Sequence, residues 1–209
     1  WFTVKWRPKL IFSFSRVKKL YSYGWKLLVS ALIDRIYNEI RTLIIGKKYS
    51  SDMLGFYNKG NQIPNLIVDN INGSIQAVIF PALSAHQDNI SAVKDMVRRA
   101  IKTSSFLIFP MMIGLAVVAE PLVKILLTDK WLPAVPFIRI FCLSYSLWPI
   151  HTTNLQAINA LGRSDIYLYL ELIKKTIGIV IIIITVLMGN IMAIAWGVLI
   201  NGTISSFIN

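Results

Sequence analysis

Charge is scarce in this chain. Of its 209 residues 15% are charged, where an ordinary globular domain has roughly 25%. A soluble surface needs charge to cover it. A deficit of this size, with 55% hydrophobic residues and a mean hydropathy of +0.59, turns much of the surface toward lipid and sets aside a soluble all-α protein. Cysteine is nearly absent too: Cys142 alone excludes an internal disulfide and a cysteine-based metal cluster, and in "FIRIFCLSYSLW" it reads as a packed small hydrophobe. There are 2 histidines, and no His/Glu/Asp group has metal-ligand spacing. Nothing resembles a P-loop or a G-x-S-x-G elbow. No catalytic residue, no metal and no cofactor is therefore expected. The sequence opens on Trp1-Phe2 without a signal-peptide pattern and stops inside "GVLINGTISSFIN", and it reads as a piece of a longer chain.

Long apolar runs are what the chain has instead. They lie near 23–45, 62–83, 104–119, 136–160, 166–188 and 190–209, the last truncated. Each is long enough to cross a bilayer once a few polar residues are allowed, and none shows the period-two alternation of a strand. The expected fold class is an all-α integral membrane protein of about six transmembrane helices, a bundle over 23–209 preceded by a basic connector over 1–22. Pro110 and Gly114 mark a kink in the third run, and Pro149 breaks the fourth.

The net charge of +12 admits nucleic acid or an anionic membrane surface as a partner, and its distribution decides. Lys5, Arg7, Lys9, Arg16, Lys18 and Lys19 precede the first run. Lys94, Arg98, Arg99 and Lys102 lie in an amphipathic connection over 86–102, and Arg163, Lys174 and Lys175 lie in the connection between the fourth and fifth runs as it continues into the fifth. These connections alternate, so they share one side of the membrane. The opposite connections hold only Lys47, Lys48, Lys59, Lys124 and Lys130. The richer side belongs in the cytoplasm, which sends the first helix outward. No basic patch interleaved with aromatics appears, so nucleic acid is not a partner.

Polar residues inside the runs follow helical spacing. At about 100° per residue, Ser30, Asp34, Arg35, Asn38, Glu39, Arg41 and Thr42 share one half of the first helix. Leu32, Ile33, Ile36, Tyr37, Ile40, Leu43 and Ile44 fill the other half. Each charge at bilayer depth costs about 2.5–3.5 kcal/mol on insertion scales, so this half should face protein or water. The spacing lets Arg35 pair with Glu39 and lets Arg41 reach Asp34 through Asn38. Such pairs either hold helices together or line a cavity. In the second run Asn65, Asp69, Asn72 and Gln76 form a stripe in which Asp69 has no basic neighbour on its own helix. In the fourth run stand Arg139, His151, Asn154 and Asn159, the histidine read as a hydrogen-bonded structural residue.

Four spaced segments carry a family resemblance. "LIIGKKYSSDMLGFYNKGNQIPNL" at 43–66, "VIFPALSAHQDN" at 78–89, "AEPLVKILLTDKWLPAVPFIRI" at 119–140 and "NALGRSD" at 159–165 occur in the order found in Wzx-type polysaccharide exporters. Those belong to the multidrug/oligosaccharidyl-lipid/polysaccharide (MOP) flippase superfamily, and the similarity is greatest to the colanic-acid-exporter-like branch of lipopolysaccharide biosynthesis proteins. It covers most of residues 1–175. One departure is Thr128 in "LLTDKW", where the family commonly has glycine.

The resemblance implies a two-lobed flippase of which this chain supplies the C-terminal lobe. Its N-terminal lobe would be a partner within the same longer chain, in the bacterial inner membrane among membrane lipids. It implies a cargo of undecaprenyl-diphosphate-linked oligosaccharide, moved outward by alternating access and driven either by an ion gradient, with a proton or sodium ion as coupling partner, or by downstream consumption. On side-chain chemistry, Arg35, Arg41 and Arg139 then suit the diphosphate, and Asn38, Asn72 and Gln76 suit sugar hydroxyls. Asp69, Asp34 and Glu39 suit the coupling ion. The alternatives are a multidrug/cation antiporter of the same superfamily, which would want a more acidic cavity, and a membrane-embedded glycan enzyme or structural subunit.

Overall fold

The computed structural model describes residues 12–209. Lys5, Arg7 and Lys9 of the basic connector lie outside the described residues. The rest is helical: α1 Phe14–Lys48, α2 Ser51–Ala85, α3 Ile90–Leu126, a 3-10 turn Asp129–Ala134, α4 Val135–Ser146, α5 Trp148–Ala160, α6 Ser164–Leu187 and α7 Ile191–Ile208.

Local chemistry sets the starts. The Ser50 hydroxyl accepts from Met53 N at 3.3 Å to cap α2, Asn89 accepts from Ala92 N at 3.1 Å to cap α3, and Asn190 accepts from Met192 N at 2.9 Å to cap α7. Each supplies a side-chain acceptor to a helix N-terminus that has none within the helix. The Asn-Ala-Leu-Gly-Arg segment turns the chain between α5 and α6 with Gly162 at φ +70. α2 and α3 are 35 and 37 residues long, about 52 and 55 Å at 1.5 Å per residue, well beyond a hydrocarbon layer of about 30 Å. Residues 90–102, expected as a connection, are the first turns of α3, which runs on unbroken through Pro110.

Three helices, α2, α3 and α7, are long and apolar enough to cross a membrane, and the 3-10 turn with α4 joins α5 across a 41° bend as a fourth candidate. The protein is thus an all-α, multi-pass membrane protein. The bend falls at Leu147, ahead of Pro149 in the first turn of α5, where proline lacks the N–H that would continue α4. α1 and α6 are long enough but carry charges within their length.

Helix direction separates a broken crossing from a re-entrant loop at that bend. Tyr23 donates to the Asn159 carbonyl just before α6 at 3.1 Å, Asp34 meets Lys175, Tyr37 meets Gly178, and Lys48 meets the Val186 carbonyl. The numbers rise together, so α1 and α6 are parallel. With reversals at each tight connection, that holds only if α4 and α5 together cross once. Packing agrees: Leu83, Val93 and Ala160 cluster at one end, while Ile45, Tyr57, Phe137, Phe141, Ile191 and Ile194 cluster at the other. Between them Val68, Ile108, Met112, Ile138 and Cys142 join α2, α3 and α4, with Cys142 buried as a small hydrophobe.

Two backbone positions give tests. A Cβ on Gly60 would overlap Phe137 Cβ and come within 3.2 Å of the Ile138 N of α4. Gly60→Ala is expected to lower the unfolding free energy by about 1–3 kcal/mol, while Gly114→Ala, with nothing within 4 Å, stays near the parent in a thermal melt. Thr128 takes φ 84, a region that strains a β-branched residue. The turn therefore keeps a glycine-type backbone although glycine is absent. Thr128→Gly is expected to stabilise by about 1 kcal/mol, and an unchanged or lower melting temperature would contradict this.

Candidate functional site

A chain of polar contacts crosses the middle of the bundle. On α1, Asn38 Nδ2 donates to Asp34 Oδ2 at 3.2 Å and the Arg41 guanidinium donates to Asn38 Oδ1, so the relay expected from the spacing is formed. Asp34 Oδ1 accepts from Lys175 Nζ of α6 at 2.5 Å. Lys175 also lies 3.9 Å from Glu171 Oε2, and Glu171 Oε1 accepts from Lys174 Nζ at 2.6 Å. Lys174 donates to Asn209 Oδ1 at 3.3 Å, and the Asn209 amide meets His151 Nδ1 at 2.6 Å and donates to the His151 carbonyl at 3.3 Å. Four helices, α1, α6, α7 and α5, are tied together.

Burial grades along this chain. Lys174 and Glu171 side chains are 3% and 8% exposed, Lys175 is 16% exposed, and Asp34 is 51% exposed. Tyr37, buried against α6, stacks under two cations: Arg41 Cζ lies 5.4 Å and Lys175 Nζ 4.7 Å from its ring centroid. Gly178 makes room for that ring, since a Cβ there would sit 2.5 Å from the Tyr37 hydroxyl.

Lys174 and Lys175, counted above with a cytoplasmic connection, are therefore corrected to the interior of α6. Lys174 begins about 15 Å along that helix, and the basic excess of the same side persists without them. Sequence reading missed them because basic residues at the edge of the run "TIGIVIIIITVLM" look like a flank. The signal available was Glu171, an acid three residues before Lys174 inside otherwise apolar sequence.

Other expected residues go elsewhere. Arg35 and Glu39 are exposed on the side of α1 turned from α6, and make no ion pair among the described residues. Arg139 sits against α3, its Nε donating to the Ala116 carbonyl at 3.3 Å. The α2 stripe divides. Asp69 is exposed and accepts from Asn65 at 2.6 Å on its own helix, whereas Gln76 accepts from Gln156 of α5 at 3.0 Å. Asn72 is 5% exposed, and its Nδ2 has no partner among the described residues. Asn61, about three turns nearer the start of α2, accepts from the Tyr145 hydroxyl at 2.8 Å. No group of three or more His, Cys, Asp or Glu that would hold a metal ion occurs among the described residues.

Ionisable side chains are rare within the helices of a multi-pass protein, and those that occur face its interior or a water-filled cavity. Comparison with known proteins narrows the class. The family model described as "Polysaccharide biosynthesis protein" matches residues 1–136, and the chain belongs to that family, the one to which the Wzx-type exporters belong. It is 27% identical over 192 residues to the teichuronic acid biosynthesis protein TuaB of Bacillus subtilis (strain 168), covering 92% of this chain and 40% of TuaB. It is 24% identical over 204 residues to the lipopolysaccharide biosynthesis protein WzxC of Escherichia coli (strain K12), covering 98% of this chain and 41% of WzxC. The succinoglycan biosynthesis transport protein ExoT of Rhizobium meliloti (strain 1021) is 20% identical over 170 residues, covering 81% and 34%. The chain thus spans 34–41% of the length of these curated relatives. No solved structure matches it.

Proposed function

We propose that the chain is the C-terminal lobe of a flippase that moves undecaprenyl-diphosphate-linked oligosaccharide outward across the bacterial inner membrane. It acts as a transporter and not as an enzyme. The observation that carries the reading is the polar seam of α1 and α6, in which the half-buried Arg41 reaches the half-exposed Asp34 through Asn38. The cargo joins an anionic diphosphate to a hydrophilic glycan, and neither crosses hydrocarbon unaided. An arginine fork offers paired donors and a permanent charge to the diphosphate, and Arg41 has no carboxylate in direct contact to occupy it. Arg35 is exposed on the face of α1 turned from this seam and is less well placed for that contact.

Asn38 orients Arg41, whereas Asn72 is buried and Gln76 is bonded to Gln156 of α5, so both are less available to sugar. Among the carboxylates expected to carry a coupling proton or sodium ion, Asp34 has the best geometry, because it alone joins two helices. Asp69 bonds only within α2, and Glu39 to no basic partner. Alternating access requires the N-terminal lobe to close the passage from the other side, and the basic end of α1 faces the cytoplasm. The test is removal of the full-length protein from its host: lipid-linked oligosaccharide should accumulate on the cytoplasmic leaflet while its synthesis continues. Unchanged surface polysaccharide would refute the reading.

A further inference from the structure

Counting charges in the seam leaves one over. Among the described residues Arg41, Lys174 and Lys175 face only Asp34 and Glu171 as carboxylates, so one cation lacks an anion of its own there. Glu171 is committed to Lys174 at 2.6 Å in the buried part, so the surplus charge lies with Lys175 and the half-buried Arg41. Lys175 is the group with a choice. It is held by Asp34 at 2.5 Å and stands 3.9 Å from Glu171, and this Asp34 bond is the one ion pair joining two helices among the described residues. Arg41 and Lys175 both lie against the Tyr37 ring, at 5.4 and 4.7 Å from its centroid, so their charges are at most about 10 Å apart. Two hydrogen bonds of about 2.8 Å with the body of a diphosphate between them span a similar length.

We propose that Lys175 is an exchangeable cation: a diphosphate entering beside Arg41 displaces the Asp34 carboxylate from Lys175 and so unfastens α1 from α6. This rests on the cargo reading above and adds to it the second cation, the internal competitor and the consequence of binding. The aspartate is placed for this exchange, being half exposed while its lysine is mostly covered. Departure of Asp34 costs the lysine little, because the incoming anion and Glu171 remain beside it. Arg41 keeps its place through Asn38, whose other partner, Asp34, stays on the same helix.

The consequence has a sign that a purely structural salt bridge lacks. A structural pair is damaged from either side, whereas a competitor's removal helps the ligand. Binding of inorganic pyrophosphate and of farnesyl diphosphate to the purified full-length protein is the measurement, with farnesyl monophosphate as the control for charge. Asp34→Asn should bind the diphosphates about tenfold more tightly than the parent. Lys175→Met should bind at least tenfold more weakly, and Lys175→Arg should restore most of that loss. Should Lys175→Met fail to fold, Asp34→Asn still decides, since it keeps the acceptor for Asn38 and its sign alone is diagnostic. Weaker or unchanged binding by Asp34→Asn would overturn the exchange. No diphosphate binding by the parent protein would instead overturn the cargo reading beneath it.

Discussion

Lys174→Met in the full-length protein is expected to lower stability by about 3 kcal/mol, because it leaves Glu171 charged and buried with only the longer 3.9 Å approach of Lys175. Glu171→Leu should cost about as much for the mirror reason. The double change Glu171→Leu with Lys174→Met removes both charges and fills the space with apolar atoms, which can be nearly neutral. Lys175 then still has Asp34. Melting temperature in detergent and abundance in the membrane are the readouts. The single variants should fall sharply in both, and the double variant should recover most of the loss. Additive damage in the double variant would mean that each residue serves a separate partner, against the geometry described above.

Arg41→Ala gives the second large effect, and on export rather than assembly. Asp34 is satisfied by Lys175, not by Arg41, which reaches it only through Asn38. Removing Arg41 therefore strands no acid, and the protein should stay in the membrane at parental levels. Surface polysaccharide should nonetheless fall at least tenfold, about 1.4 kcal/mol or more in cargo binding. Arg41→Lys keeps the charge but loses the fork and should restore part of the export. Loss of membrane protein in Arg41→Ala would instead make this residue a structural one.

Much of α1 was legible from spacing alone. Asp34, Asn38 and Arg41 fall at intervals that place them on one stripe, and the contacts between them are local to one helix. The same spacing allows Arg35 to meet Glu39, yet that pair does not form. Helical periodicity tells which residues share a face, not which bonds outcompete water or a neighbouring helix. The decisive partner of Asp34 is Lys175, 141 residues away, and no local rule connects them. The wheel could not show either that Asn72 and Gln76 turn inward while Asp69 stays exposed, because the positions of α4 and α5 decide that split. The alternation of apolar runs and basic connections made the membrane class readable from the sequence. The length of α3, which continues through residues taken for a connection, was hidden because amphipathic and apolar turns join there without a break.

Reconstitution gives the most direct measurement of the central claim, that the seam between α1 and α6 handles the anionic head of a lipid-linked glycan. Full-length protein in liposomes, supplied with undecaprenyl-diphosphate-linked oligosaccharide in one leaflet, should raise the rate at which the glycan reaches the other leaflet. The account predicts that Arg41→Ala, equally abundant and equally folded, abolishes that increase. Parental rates from the Arg41→Ala protein would contradict it.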